Sequence, residues 1–107
     1  MYVVIFTAEI AGLDAEYAEL AQRMRDLALK EYGCKAFNSC AQEGREIAVS
    51  YWESEAQIKA WREQSEHQLA QDKGRSRWYR SYSVQVAKVT RQYACAEADL
   101  AGSGRRA

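Results

Sequence analysis

Residues Tyr2 to Ala8 form a nearly unbroken run of β-formers, the pattern of a strand covered on both faces. Gly12 marks a turn, and Asp14 is placed to cap a helix with Tyr17 at its third position. Leu13, Tyr17, Leu20, Met24 and Leu27 then recur at spacings of four, three, four and three. That is one apolar stripe of a helix that ends near Tyr32 and Gly33. A weaker strand is predicted over Lys35 to Gln42 and another over Glu46 to Trp52, joined as a hairpin through Glu43-Gly44. Ser54 and Gln57 have the spacing of a capping box, and Ser65 and Gln68 repeat it. The repeat predicts a broken second helix, Glu55 to Gln64 and then Glu66 to Lys73, stopped by Gly74. A last strand is predicted from Trp78 to Tyr93. Its large apolar residues change parity between Val86 and Val89, which calls for a bulge near Ala87-Lys88. Residues 96–107 have no periodicity and read as a frayed tail, leaving 1–95 as one domain.

The order β-α-β-β-α-β is the α+β, ferredoxin-like split arrangement: both helices on one face of a four-stranded antiparallel sheet. Its other face is expected to carry residues such as Val3, Ile5, Val49, Tyr51 and Val84 or their neighbours. An apolar sheet of that size is not normally left to water, so a homodimer joined face to face is expected.

Composition narrows the function. Fifteen basic residues balance fifteen acidic ones, which argues against a nucleic-acid partner. No apolar run approaches the ~20 residues of a membrane span, and the opening MYVVIFTAEI lacks an export signal, so a cytoplasmic protein without a membrane partner is expected. Three cysteines without a CxxC spacing, and one histidine, do not make a disulfide framework or a zinc cage. Charge is uneven: residues 75–91 carry five bases and no acid, so Arg75, Arg77 and Arg80 are either salt-bridge partners for acidic helices or an anion-attracting cluster.

Several side chains are candidates for chemistry. His67 is the one group whose ordinary pKa lies near neutrality. If Ser65 caps a short helix, His67 sits in its first turn, where the macrodipole keeps the imidazole neutral and able to ligate iron or accept a proton. Trp61 shares a helical face with Ile58 and Ser65 and should point at the sheet, as a wall of a pocket or as core. Trp78 reads first as core. Tyr51, Tyr79 and Tyr82 offer hydroxyls for orienting a ligand. Arg80 has the parity of Trp78 and Tyr82, so it is expected at a pocket edge or in an intersubunit pair.

The stretch Val49-Ser-Tyr-Trp-Glu-Ser-Glu-Ala-Gln-Ile-Lys-Ala-Trp61, followed by Glu66-His67, Ala70-Gln71, Gly74, Trp78-Tyr79, Tyr82 and Arg91-Gln-Tyr93, resembles the antibiotic biosynthesis monooxygenase family. The resemblance covers about residues 1 to 93. It implies a dimeric α/β barrel, a pocket in each subunit between sheet and helices, and oxygenase activity on an aromatic or quinol-type, flat apolar substrate without metal or flavin. Two alternatives stay open: a heme-degrading oxygenase, and a non-enzymatic dimeric module binding a small ligand. By this resemblance Trp52 matches an active-site tryptophan of the cofactor-free oxygenases, whose neighbouring asparagine and tyrosine are Ala48 and Ile58 here. Trp61 matches a pocket tryptophan of the heme-degrading branch. The iron-ligating histidine of that branch falls at Gln71, with His67 four residues earlier, and its first-strand asparagine falls at Thr7 or Ala8. His67 and Trp52 are therefore the expected catalytic residues, with His67 the metal ligand if heme binds. Trp61, Tyr51, Trp78, Arg80 and Tyr82 are the expected substrate contacts.

Overall fold

A computed structural model describes residues 1–12, 14–71 and 78–96, the side chains of 66–71 excepted. The elements are β1 (Tyr2–Ile10), α1 (Ala15–Glu31), β2 (Ala36–Gln42), β3 (Arg45–Trp52), α2 (Glu55–Gln71) and β4 (Tyr79–Lys88). The sheet order is β2-β3-β1-β4, with every neighbour antiparallel. Each helix therefore carries the chain past one intervening strand, the split βαβ connection expected from the element order. The predicted tail falls beyond the described residues, Ala96 apart.

Local chemistry sets the element ends. Asp14 accepts from the Tyr17 amide at 2.9 Å and starts α1. Ser54 and Gln57 close a reciprocal box, each amide donating to the other's side-chain oxygen at 3.3 Å, and start α2. Glu43 (φ 52°) and Gly44 (φ 76°) make the left-handed pair that a two-residue hairpin turn requires.

Register decides what faces the helices. Tyr2, Val4, Phe6 and Ala8 of β1 lie beside Trp52, Ser50, Ala48 and Glu46 of β3, and this face meets α1 and α2. Two clusters fill the layer between. One gathers Val4, Ala28, Cys34, Trp52 and Ile58; the other gathers Leu20, Met24 and Trp78. Trp61 packs against both. The opposite face carries Val3, Ile5, Ile47, Val49 and Tyr51.

The structure departs from the sequence pattern in three places. First, α2 is one helix through Gln71, not two. The Ser65 hydroxyl donates back to the Trp61 carbonyl at 2.9 Å, inside the helix, instead of capping a new one. His67 therefore lies in the body of α2, away from any helix N-terminus, and the dipole argument for a neutral imidazole lapses; its side chain is outside the described residues. Second, the irregularity of the last strand is at its start. Glu9 pairs with Ser81 and Ile10 with Tyr79, which leaves Arg80 as the extra residue. The expected bulge at Ala87-Lys88 is absent because the strand ends there, at Lys88. Third, Val84 pairs with Phe6 and so lies on the helix side of the sheet, not on the opposite face.

Candidate functional site

Between the sheet and the two helices lies a cavity of about 250 Å³. Its floor is Val4, Phe6, Ala48 and Ser50 from the central strands, with Phe37 and Ser39 from β2. Its roof is Tyr17, Leu20 and Met24 from α1 and Ile58 and Trp61 from α2. Tyr82 and Val84 of β4 also border it, and their exposure (38% and 37%) marks the mouth. β4, an edge strand of the sheet, lies there and is exposed from Arg80 to Lys88.

Trp61 is the pillar beside this space. Its Nε1–H donates to the Met24 carbonyl at 3.0 Å, tying α2 to α1. Its ring meets Trp52 at 5.6 Å and Phe37 at 5.8 Å between centroids. Position Ile58 plus three puts it on the buried helix face, so this placement follows from helical spacing.

The other candidates separate. Trp52 is fully buried behind Trp61, and its Nε1–H is held by Ser50 Oγ at 2.8 Å. Trp78 is also fully buried, edge-on to Tyr17 at 5.2 Å, and its carbonyl accepts from the Ala11 amide at 2.8 Å. Neither borders the cavity. Tyr51 pairs with Val3 and Ala36 on the opposite face of the sheet. Arg80, the bulge residue, is exposed and also away from the cavity. The arginines that do border it are Arg25, whose guanidinium donates to the Phe37 carbonyl at 3.2 Å, and Arg62.

Part of the polar wall is a linked set of which the sequence singles out only Tyr79. Tyr17, Glu46 and Tyr79 all border the cavity. Tyr79 donates to the Tyr17 oxygen at 2.9 Å, and Tyr17 donates to the Glu46 carboxylate. Burial, then the hydrogen bond to Glu46, pushes the Tyr17 phenol far above its ordinary range. Burial pushes Tyr79 up to about 12. Both phenols stay protonated at any physiological pH. Cys34, the buried cysteine, also has its thiol pushed up by burial, so it acts as a small apolar residue.

Among the described residues the site offers neither the volume nor a ligand for heme, and the His67 side chain lies outside them. The cavity lies below the ~300–1,000 Å³ typical of pockets for drug-sized ligands, and a porphyrin needs more than the lower end of that range. No described lining residue is a histidine or cysteine. Among the described residues no group of His, Cys, Asp and Glu is placed to hold a metal ion, and no helix is long and apolar enough to cross a membrane.

A four-stranded antiparallel sheet with two helices over a lined cavity defines a small ferredoxin-like domain, and the match to known proteins is specific. The antibiotic biosynthesis monooxygenase family model matches residues 1–73, and the chain belongs to that family. It is 48% identical over 92 residues to the uncharacterized protein YqjZ of Bacillus subtilis, covering 85% of this chain and 81% of that one. Solved structures share the fold at lower identity. SnoaB of Streptomyces nogalater, a cofactor-independent oxygenase, superposes with a TM-score of 0.67 at 10% identity over 85% of this chain and 94% of its own. MhuD, solved with two manganese protoporphyrin IX bound per active site, gives 0.56 at 20% identity over 89% and 100%.

Proposed function

We propose that this protein is a small monooxygenase that acts on a flat, apolar aromatic or quinol-type substrate of about two rings, without metal or flavin. The observation that carries this reading is the aromatic-walled cavity of about 250 Å³ in a chain of the monooxygenase family. A cavity of about 150 Å³ holds one benzene, so this one suits a naphthalene-sized ring system. Trp61 and Tyr82 serve as its aromatic walls. An electron-rich quinol can itself reduce dioxygen, and the protein then supplies binding, desolvation and a proton acceptor. The likeness to SnoaB supports the cofactor-free form of the reaction. The working unit is a homodimer that buries Val3, Ile5, Ile47, Val49 and Tyr51 against a second copy.

The test is oxygen uptake with naphthohydroquinone in the presence of a chelator, using isotopically labelled dioxygen. One oxygen atom should enter the ring, giving a hydroxynaphthoquinone, and the other should leave as water. Spontaneous oxidation removes hydrogen without inserting oxygen, so label in the product is the readout. Label no higher than in buffer alone overturns the oxygenase reading and leaves a ligand-binding module. Sedimentation should give roughly twice 12.2 kDa.

A further inference from the structure

The oxygens of Glu46, Tyr17 and Tyr79 come from β3, α1 and β4 and form one line with a forced polarity. An ionised carboxylate only accepts hydrogen bonds, and each phenol has one proton to give. Tyr17 gives its proton to Glu46, so it must receive that of Tyr79. With its proton committed, Tyr79 retains lone pairs alone. The line thus ends at Tyr79 in an acceptor, and whatever lies next to it must donate. All three residues border a cavity whose remaining wall is mainly apolar. A half-buried line of this kind is disfavoured with a mismatched partner, and filling the cavity with a ligand raises that cost, which makes it selective.

We propose that the Glu46–Tyr17–Tyr79 line is a hydroxyl-recognition and proton-accepting subsite, selecting a hydroxyarene whose O–H donates to Tyr79. This deepens the monooxygenase reading and rests on it for the chemistry, but not for the binding. When the hydroxyarene passes one electron to dioxygen, it becomes strongly acidic and its O–H bond breaks. Its proton moves to the Tyr79 oxygen as the Tyr79 proton moves to Tyr17 and the Tyr17 proton to the Glu46 carboxylate. The arene is oxidised to a neutral aryloxyl radical, dioxygen is reduced to superoxide, Glu46 ends protonated, and both tyrosines end as they began. The raised phenol pKa values suit this role, because neither tyrosine is drained to a phenolate that would trap the proton. Tyr79 is the group that touches the substrate; Tyr17 and Glu46 act through it as positioning residues.

The experiment is equilibrium binding of three probes of equal ring size to the full chain: naphthol, its methyl ether and naphthalene. Naphthol can donate a hydrogen bond, and its methyl ether can only accept one. The wild type should prefer naphthol over the ether by up to about tenfold, the upper value of one hydrogen bond between neutral groups. Tyr79→Phe should reduce that preference to within about twofold while naphthalene binding stays within twofold of wild type. Glu46→Gln, whose amide can present a donor or an acceptor, no longer enforces the polarity and should also move the preference toward unity. That variant decides the matter if Tyr79→Phe does not fold. Equal binding of naphthol and its ether by the wild type overturns the subsite, as does a preference that survives Tyr79→Phe. Failure of all three probes to bind overturns the cavity reading as well. A protein that prefers naphthol but inserts no labelled oxygen into naphthohydroquinone keeps the subsite and loses the oxygenase.

Discussion

Trp61 packs against both core clusters, so its truncation should cost more than a half-buried residue usually does. Trp61→Phe removes the hydrogen bond to the Met24 carbonyl, worth about 0.5–1.5 kcal/mol. Met24 lies inside α1, where its carbonyl also has a helical partner, so no orphaned acceptor adds to the loss. The smaller ring also gives up part of two aromatic contacts, with Trp52 and Phe37, each worth about 0.5–1.5 kcal/mol when whole. The sum is about 2 kcal/mol, or on the order of 10 °C in Tm for a domain of this size. Trp61→Ala should cost about 3–5 kcal/mol. Urea unfolding followed by circular dichroism measures both, at one fixed protein concentration because dimerisation contributes to stability. The urea midpoint should fall with an unchanged slope. A Phe variant within about 0.5 kcal/mol of wild type, with an Ala variant costing under about 2, would refute the pillar role and make Trp61 a wall of the cavity only.

Gly33 has φ +81°, and a Cβ there would meet Gln57 Nε2 at 2.5 Å, the side chain that caps α2 through Ser54. Gly33→Ala should therefore destabilise by more than about 1 kcal/mol, and in chemical denaturation it should be less than additive with Ser54→Ala, since both break the same box. Full additivity would show the two helix ends to be independent. The second expectation concerns alkali. Tyr79 titrates near 12 when folded against 10.0 as its ordinary value, and Tyr17 is raised in the same direction. A phenol with a raised pKa favours the folded state fully below pH 10, and that contribution is lost as pH climbs through the folded value. Stability should thus decline between about pH 10 and 12, and tyrosinate absorbance should show two of the seven tyrosines ionising late. Tyr79→Phe should flatten the decline; an identical profile would remove Tyr79 from its cause.

What is legible in the sequence is whatever depends on near neighbours. The caps at Asp14 and Ser54, the Glu43-Gly44 turn and the element order are set by residues within four positions of one another. The inward aim of Trp61 is legible for the same reason. The pairing of Ser65 with Gln68 misleads because a serine inside a helix satisfies itself on the carbonyl four residues back, and nothing in the spacing distinguishes that from a cap. Of the polar line of the cavity, Tyr79 is legible as a hydroxyl for a ligand, but its link to Tyr17 and Glu46 is not. Tyr17 is 29 residues from Glu46 and 62 from Tyr79, and only the sheet register brings the three together.

That register turns on one residue. From Tyr82 opposite Ala8, strict alternation would place Ser81 on the outer face, Arg80 on the cavity face and Tyr79 outside. The sequence parity of Arg80 with Trp78 and Tyr82 carries the same expectation of a pocket arginine. Because Arg80 is the unpaired residue of the bulge, Tyr79 instead lies opposite Ile10 and takes the cavity side, while Arg80 is pushed into solvent. One inserted residue thus exchanges a cation for a phenol in the wall of the site. Arg80→Ala should accordingly change stability by no more than about 0.5 kcal/mol, as an exposed side chain does, and leave the preference for naphthol over its ether intact. Deleting Arg80 should restore a regular ladder and still leave Tyr79 opposite Ile10, so the preference should survive the deletion too. If Arg80→Ala weakens naphthol binding as much as Tyr79→Phe does, the guanidinium is in the site, and the exchange of faces at the bulge is wrong.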